Sequence, residues 1–141
     1  MTYSKHLETN TIHAGKMHDA QHGALSTPIY QTSTFVFDNV QQGSNRFLGE
    51  EQGYIYGRLG NPTDRELEIK MATLEGTEDA AAFGSGMGAI SSVLLANLNK
   101  GDHIIASSAL YGCSFALLNH KFADLGIEVT FVDMSFESEV R

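Results

Sequence analysis

The run Ser85-Gly86-Met87-Gly88-Ala89-Ile90 carries the clearest chemistry in the chain. A turn of small residues between an apolar strand and an apolar helix lets backbone N–H groups close on a bound anion. The helix N-terminus adds its partial positive charge, worth about 0.3–1 kcal/mol and up to ~2 kcal/mol when partly buried. Ala80-Ala81-Ala82-Phe83 reads as the buried strand, and Ile90, Val93, Leu94 and Leu98 recur at helical spacing beyond the turn. The spacing Gly84-x-Gly86-x-x-Ala89 also satisfies a dinucleotide fingerprint, but that reading needs an acidic residue ending the next strand, where the chain has Ala106-Ser107-Ser108. In a third reading the glycines serve only close packing of helix on strand.

Other reactive side chains are sparse. His6, His13, His18, His22, His103 and His120 form no HExxH or His-x-His pair, so no metal site is expected. A lone Cys113 excludes an internal disulfide framework and a multi-cysteine zinc site, and its thiol is expected to be reduced.

The elements that must hold the glycine turn follow from the pattern around it. Asn61 caps a helix with Pro62 at its first position, Leu67, Met71 and Leu74 on one face, and Gly76 at its end. After the strand at 79–84 and a helix to about Leu98 comes a strand at His103-Ile104-Ile105-Ala106. A helix from Tyr111 to Leu125 follows, with Phe115, Leu118, Phe122 and Leu125 on one side. Gly126 ends it, and a third strand runs from Ile127 to Val132. Strands alternating with helices predict a parallel α/β sheet, incomplete at three strands. Residues 1–60 read differently, as an extended arm with short apolar runs. The arm's aromatics Tyr30, Phe35, Phe37, Phe47, Tyr54 and Tyr56 are too many for a free tail, so it is expected to pack on a partner subunit or a missing domain.

Composition narrows the partners. The 141 residues make roughly one domain, and 42% hydrophobic residues suffice for a core. With 9 Lys and Arg against 17 Asp and Glu, the net charge of -8 argues against binding nucleic acid. No apolar run is long enough to span a membrane, and residues 1–16 are too polar for a secretory leader, so a cytoplasmic location is expected.

Four segments, in order, are Thr27-Pro28-Ile29-Tyr30-Gln31-Thr32-Ser33-Thr34-Phe35, Gly53-Tyr54-Ile55-Tyr56-Gly57-Arg58-Leu59-Gly60-Asn61-Pro62-Thr63, Ser85-Gly86-Met87-Gly88-Ala89-Ile90 and Leu110-Tyr111-Gly112-Cys113. Together they resemble the cystathionine and methionine γ-lyase family of pyridoxal-phosphate enzymes, nearly from end to end. The resemblance implies the PLP-dependent transferase fold of the aspartate aminotransferase type. Residues 1–60 would be an arm contributing to the neighbouring subunit's site, and 61–141 the first part of the large parallel-sheet cofactor domain. It also implies a dimer-based homo-oligomer, expected to be a tetramer, with pyridoxal 5'-phosphate as cofactor and a small sulfur amino acid as substrate.

By the same resemblance, the N–H groups of Gly86 and Met87 bind the cofactor phosphate, and Tyr56 and Arg58 from the neighbouring subunit complete that site. Tyr111 stacks on the pyridine ring and can act as an acid on the leaving group. Cys113 stands near the substrate thioether, at a position that is cysteine in methionine γ-lyases and another residue in relatives acting on cystathionine or acylated homoserine. The implied reaction is γ-elimination of methionine to methanethiol, 2-oxobutanoate and ammonia, with O-acetylhomoserine sulfhydrylase and cystathionine γ-lyase activities as alternatives. Gly57 departs from the Ser or Thr usual between the aromatic residue and the arginine, which implies a looser phosphate clamp.

The family's cofactor-binding lysine sits in a Ser-x-Thr-Lys context, and Lys5, Lys16, Lys70, Lys100 and Lys121 do not. That lysine, the aspartate for the pyridine nitrogen and the substrate arginine are expected beyond Arg141, and Asp133 is read as a strand-end turn residue. These 141 residues alone are therefore expected to be inactive. A reading of another class is a non-catalytic module that joins full-length subunits through the arm.

Overall fold

In a computed structural model, which describes residues 6–140, the chain divides into two compact units that meet in sequence at Ala82 and Phe83.

The first unit holds helices α1 (Leu7–His13), α2 (Val40–Leu48) and α3 (Pro62–Glu75). Helix α3 starts and stops where its residues dictate. The Asn61 side chain accepts the Thr63 N–H at 2.8 Å, Pro62 needs no N–H partner in the first turn, and Gly76 takes the left-handed φ of 67°. The face expected to be covered is not: Leu67 and Met71 are exposed, and Pro62 and Ala72 are the buried residues of the helix. The reason lies in α1, which packs on α3 from another side. Ala14 is fully buried, and a Cβ on Gly15, whose φ is 79°, would collide with the Glu66 carbonyl oxygen.

Within residues 1–60, α1 and α2 were not read from the sequence. Asn39 caps α2 by accepting the Gln42 N–H at 2.9 Å, and Gly49 closes it with φ 75°. The chain then folds back through Arg46, which reaches Glu51 at 3.3 Å and the Tyr54 carbonyl at 3.3 Å. Several arm aromatics find each other, Phe35 against Tyr54 at 5.3 Å and Phe37 edge-on to Phe47 at 6.2 Å. Val36, Val40, Leu25 and Ile29 remain almost fully exposed.

The second unit holds α4 (Gly86–Asn97), β1 (His103–Ser107), α5 (Gly112–Ala116), β2 (Glu128–Val132) and the short α6 (Glu137–Val140). Strands β1 and β2 are parallel, in register from His103 with Glu128 to Ser107 with Val132. Their crossover begins with α5 and continues as a π-helical stretch, Leu117–Phe122. Phe122, 1% exposed, anchors a core with Ala106, Leu118 and Ile127, joined by Leu94 from α4 and by Leu98, the residue that caps it. The wider π turn breaks the expected 3.6-residue stripe. Leu118 and Phe122 are buried, Leu125 is exposed, and Phe115 turns to stack on Phe131 at 4.4 Å. Of α4 and its cap only Leu94 and Leu98 reach the core, and Ile90 and Val93 face outward. Apolar residues occur all round α4, so their spacing does not identify the covered face.

The strand expected at 79–84 does not form, so the described residues contain two strands rather than three. A strand needs a neighbour to take its N–H and C=O groups. Carboxylates capture the N–H groups here instead: Asp79 Oδ1 accepts from Ala80 at 2.8 Å and Glu68 Oε1 from Ala82 at 3.0 Å. Phe83, expected to be buried, is 48% exposed.

Candidate active site

The first turn of α4 is capped by Ser85 and leaves backbone N–H groups without helical partners. Ser85, with an extended backbone at φ -159° and ψ 154°, turns its Oγ back to accept the Gly88 N–H at 3.0 Å. The N–H groups of Gly86 and Met87 have no carbonyl four residues back within the helix, so they are left as donors. A Cβ at Gly86 would meet nothing within 4 Å, so the approach to these donors is open. A Cβ at Gly88 would lie 3.1 Å from Ser85 Oγ, so glycine there keeps the cap unstrained. A serine immediately before an apolar helix is an N-cap signal, so the capping role of Ser85 is legible in the sequence.

Tyr111 and Cys113 lie at the start of α5. Tyr111 is the N-cap residue, 70% exposed, and Cys113 is exposed with a free thiol. The neighbouring Cys113 side chain is the main reason that Tyr111 holds its phenol proton above the usual tyrosine range. A protonated phenol with an open ring face can both stack on a planar ligand and donate a proton. Helices α4 and α5 are in contact, and the Ser114 hydroxyl donates to Met87 Sδ at 3.6 Å. The second unit thus brings together Gly86, Met87, Tyr111 and Cys113.

Tyr56 and Arg58 belong to the first unit, where the structure brings them together. Tyr56 forms an antiparallel bridge with Thr34, flanked by Phe35 N–H to Ile55 O at 3.1 Å and Gly57 N–H to Ser33 O at 2.7 Å. The Arg58 guanidinium stands over the Tyr56 ring, 5.6 Å from its centroid. Arg46 and Arg65 are paired with carboxylates, whereas Arg58 is in none of the ion pairs among the described residues and lines a cleft of about 690 Å³. Gly57 is held by its ladder bond, and a Cβ there would lie 3.1 Å from the Thr32 carbonyl oxygen.

Each unit by itself offers groups that suit a phosphate monoester on an aromatic ring: in the second, helix N–H groups and an exposed tyrosine face, and in the first, a guanidinium in no ion pair among the described residues. Asp133 makes a strand-end turn, accepting from the Ser135 N–H at 2.9 Å and from the Ser135 hydroxyl, and is held below the usual carboxylate range by those bonds. Among the described residues no three His, Cys, Asp or Glu cluster to hold a metal ion.

Residues 8–141 match the family described as Cys/Met metabolism PLP-dependent enzyme, and the chain belongs to that family, as its four motifs imply. It is 55% identical over 135 residues to the L-methionine gamma-lyase of Fusobacterium nucleatum, a match covering 96% of this chain and 34% of that relative. Identity to the O-acetyl-L-homoserine sulfhydrylase of Corynebacterium glutamicum is 44%, over 90% of this chain and 29% of the relative. The chain spans about a third of the length of the curated relatives it matches. A solved Campylobacter jejuni structure described as an O-acetylhomoserine (thiol)-lyase superposes with a TM-score of 0.89 at 32% identity. It covers 97% of this chain and 34% of that one, and it carries N'-pyridoxyl-lysine-5'-monophosphate. The expected PLP-enzyme fold is thereby borne out.

Proposed function

We propose that the complete protein catalyses γ-elimination of L-methionine, consuming water and releasing methanethiol, 2-oxobutanoate and ammonia. The observation that carries this reading is the placement of Tyr111 and Cys113 together at the start of α5, which is in contact with α4. Higher identity to L-methionine gamma-lyases than to O-acetylhomoserine sulfhydrylases supports it.

When bound, pyridoxal phosphate supplies an electron sink for carbanion chemistry at the substrate. Gly86 and Met87 donate their N–H groups to its phosphate, and Arg58 adds a planar cationic fork while Tyr56 supports that fork. Tyr111 covers the ring and, protonated at neutral pH, delivers a proton to the departing sulfur. The Cys113 thiol raises the Tyr111 pKa and presents a soft, polarisable group to the thioether.

Residues 1–60 act as an arm that carries Tyr56 and Arg58 to a neighbouring subunit of a dimer-based tetramer, and residues 61–141 begin the cofactor domain. The location proposed is cytoplasmic; among the described residues no helix is long and apolar enough to cross a membrane.

The test is to assay the complete protein, loaded with pyridoxal phosphate, on L-methionine, cystathionine and O-acetylhomoserine plus sulfide. Methanethiol release from methionine as the fastest reaction supports the proposal. Faster formation of homocysteine and acetate from O-acetylhomoserine and sulfide, or faster cleavage of cystathionine, replaces it with the corresponding alternative.

A further inference from the structure

Ser114 is the third residue of α5 and its only buried one, 6% exposed. A buried hydroxyl costs free energy unless it is hydrogen-bonded, and here its partner is the Met87 thioether, 3.6 Å away. That contact joins two places in the fold that the reading above gives different tasks. Met87 lies in the first turn of α4, where the N–H groups face the phosphate, and Ser114 follows directly on the turn that presents Tyr111 and Cys113. No other side-chain hydrogen bond among the described residues joins these two helices.

We propose that Ser114 is a positioning residue that fixes the start of α5 against the first turn of α4, so that the Tyr111 ring and the phosphate donors keep one spacing. The inference rests on the proposed cofactor site. Sulfur is a weak and soft acceptor, so the bond contributes orientation more than strength. An alanine at 114 packs in the same place and suits a helix, so the fold tolerates it while the spacing loosens. Leucine at 87 keeps the backbone donor and most of the volume while deleting the acceptor.

The test uses the complete protein with Ser114→Ala, Met87→Leu, the double variant and Ser114→Thr. It reads pyridoxal phosphate affinity by absorbance titration, the phosphorus NMR line of the bound cofactor, and the thermal midpoint of the cofactor-free protein. Each single variant is expected to weaken cofactor binding by about three- to tenfold, the range of one modest hydrogen bond. It is also expected to shift or broaden the phosphorus line, while the cofactor-free midpoint stays put in Ser114→Ala and falls in Met87→Leu, which leaves the buried Ser114 hydroxyl without its partner. The double variant should be no worse than either single, and threonine should restore the wild-type line. Wild-type affinity in Ser114→Ala, or single losses that multiply in the double variant, overturns the inference and leaves the proposed function standing. If Ser114→Ala does not fold, Met87→Leu decides alone, an unchanged affinity and line overturning the inference. A wild-type protein that binds no pyridoxal phosphate overturns both.

Discussion

Thr63 and Tyr30, 33 residues apart, are joined through one hydroxyl: Thr63 Oγ1 accepts the Tyr30 N–H at 2.9 Å and donates to the Pro28 carbonyl at 3.1 Å. Asn61 adds a third link, its Nδ2 donating to the Tyr30 carbonyl at 2.8 Å. The first turn of α3 therefore grips the strap that leads into the Thr34–Tyr56 bridge. Thr63→Val keeps the shape and removes both hydroxyl bonds. It is expected to cost about 1–3 kcal/mol, read as a lower denaturant midpoint with an unchanged slope.

Arg58 has an aromatic neighbour and forms no ion pair among the described residues. Arg58→Ala is expected to weaken pyridoxal phosphate binding by about ten- to a hundredfold, the range of a charge-assisted hydrogen bond, with a smaller loss for Arg58→Lys, which keeps the charge but not the fork. Cofactor titration checks both. Equal losses in the two variants would mean that the fork geometry, rather than charge, dominates.

Cys113 is the main cause of the raised Tyr111 pKa. Cys113→Ala should therefore move the tyrosine titration down, toward the ordinary value, and bring the alkaline loss of activity to lower pH. Tyrosinate absorbance against pH reads the first effect and a pH–rate profile the second. Cys113→Ser in the complete enzyme should lower turnover of methionine about tenfold more than turnover of O-acetylhomoserine. Equal losses on every substrate would remove Cys113 from specificity.

Arg65 ties Asp79 at 2.7 Å and Glu68 at 3.2 Å, and its hydrogen bond is the main reason that the Asp79 carboxyl titrates below the usual range. A folded-state pKa below the unfolded value stabilises above the unfolded value, and that stabilisation fades as the pH falls through the folded one. Asp79→Asn should therefore lower the thermal midpoint at neutral pH, and the gap from wild type should close in acid, below the ordinary 3.8. Both groups are solvent-accessible, so high salt should shrink the effect as well.

The sequence by itself determined the parts whose causes are local. Asn61, Pro62 and Gly76 bound α3 because caps act within one turn. The Ser85–Gly88 turn opens α4, β1 and β2 are parallel as the alternation of elements implies, and four motifs in order identify the family. Tertiary structure decided whatever depends on a neighbour. Ala80-Ala81-Ala82-Phe83 has strand composition, but the Ala80 N–H goes to Asp79 and the Ala82 N–H to Glu68. Leu67 and Met71 have the spacing of a buried face, but α1 settles on another side of α3. One π-helical stretch turns Phe115 away from the stripe it shares with Leu118 in sequence, and onto Phe131. The Ser114–Met87 and Thr63–Tyr30 links join residues 27 and 33 positions apart. No periodicity encodes such pairs, because only the folded backbone brings donor and acceptor within reach.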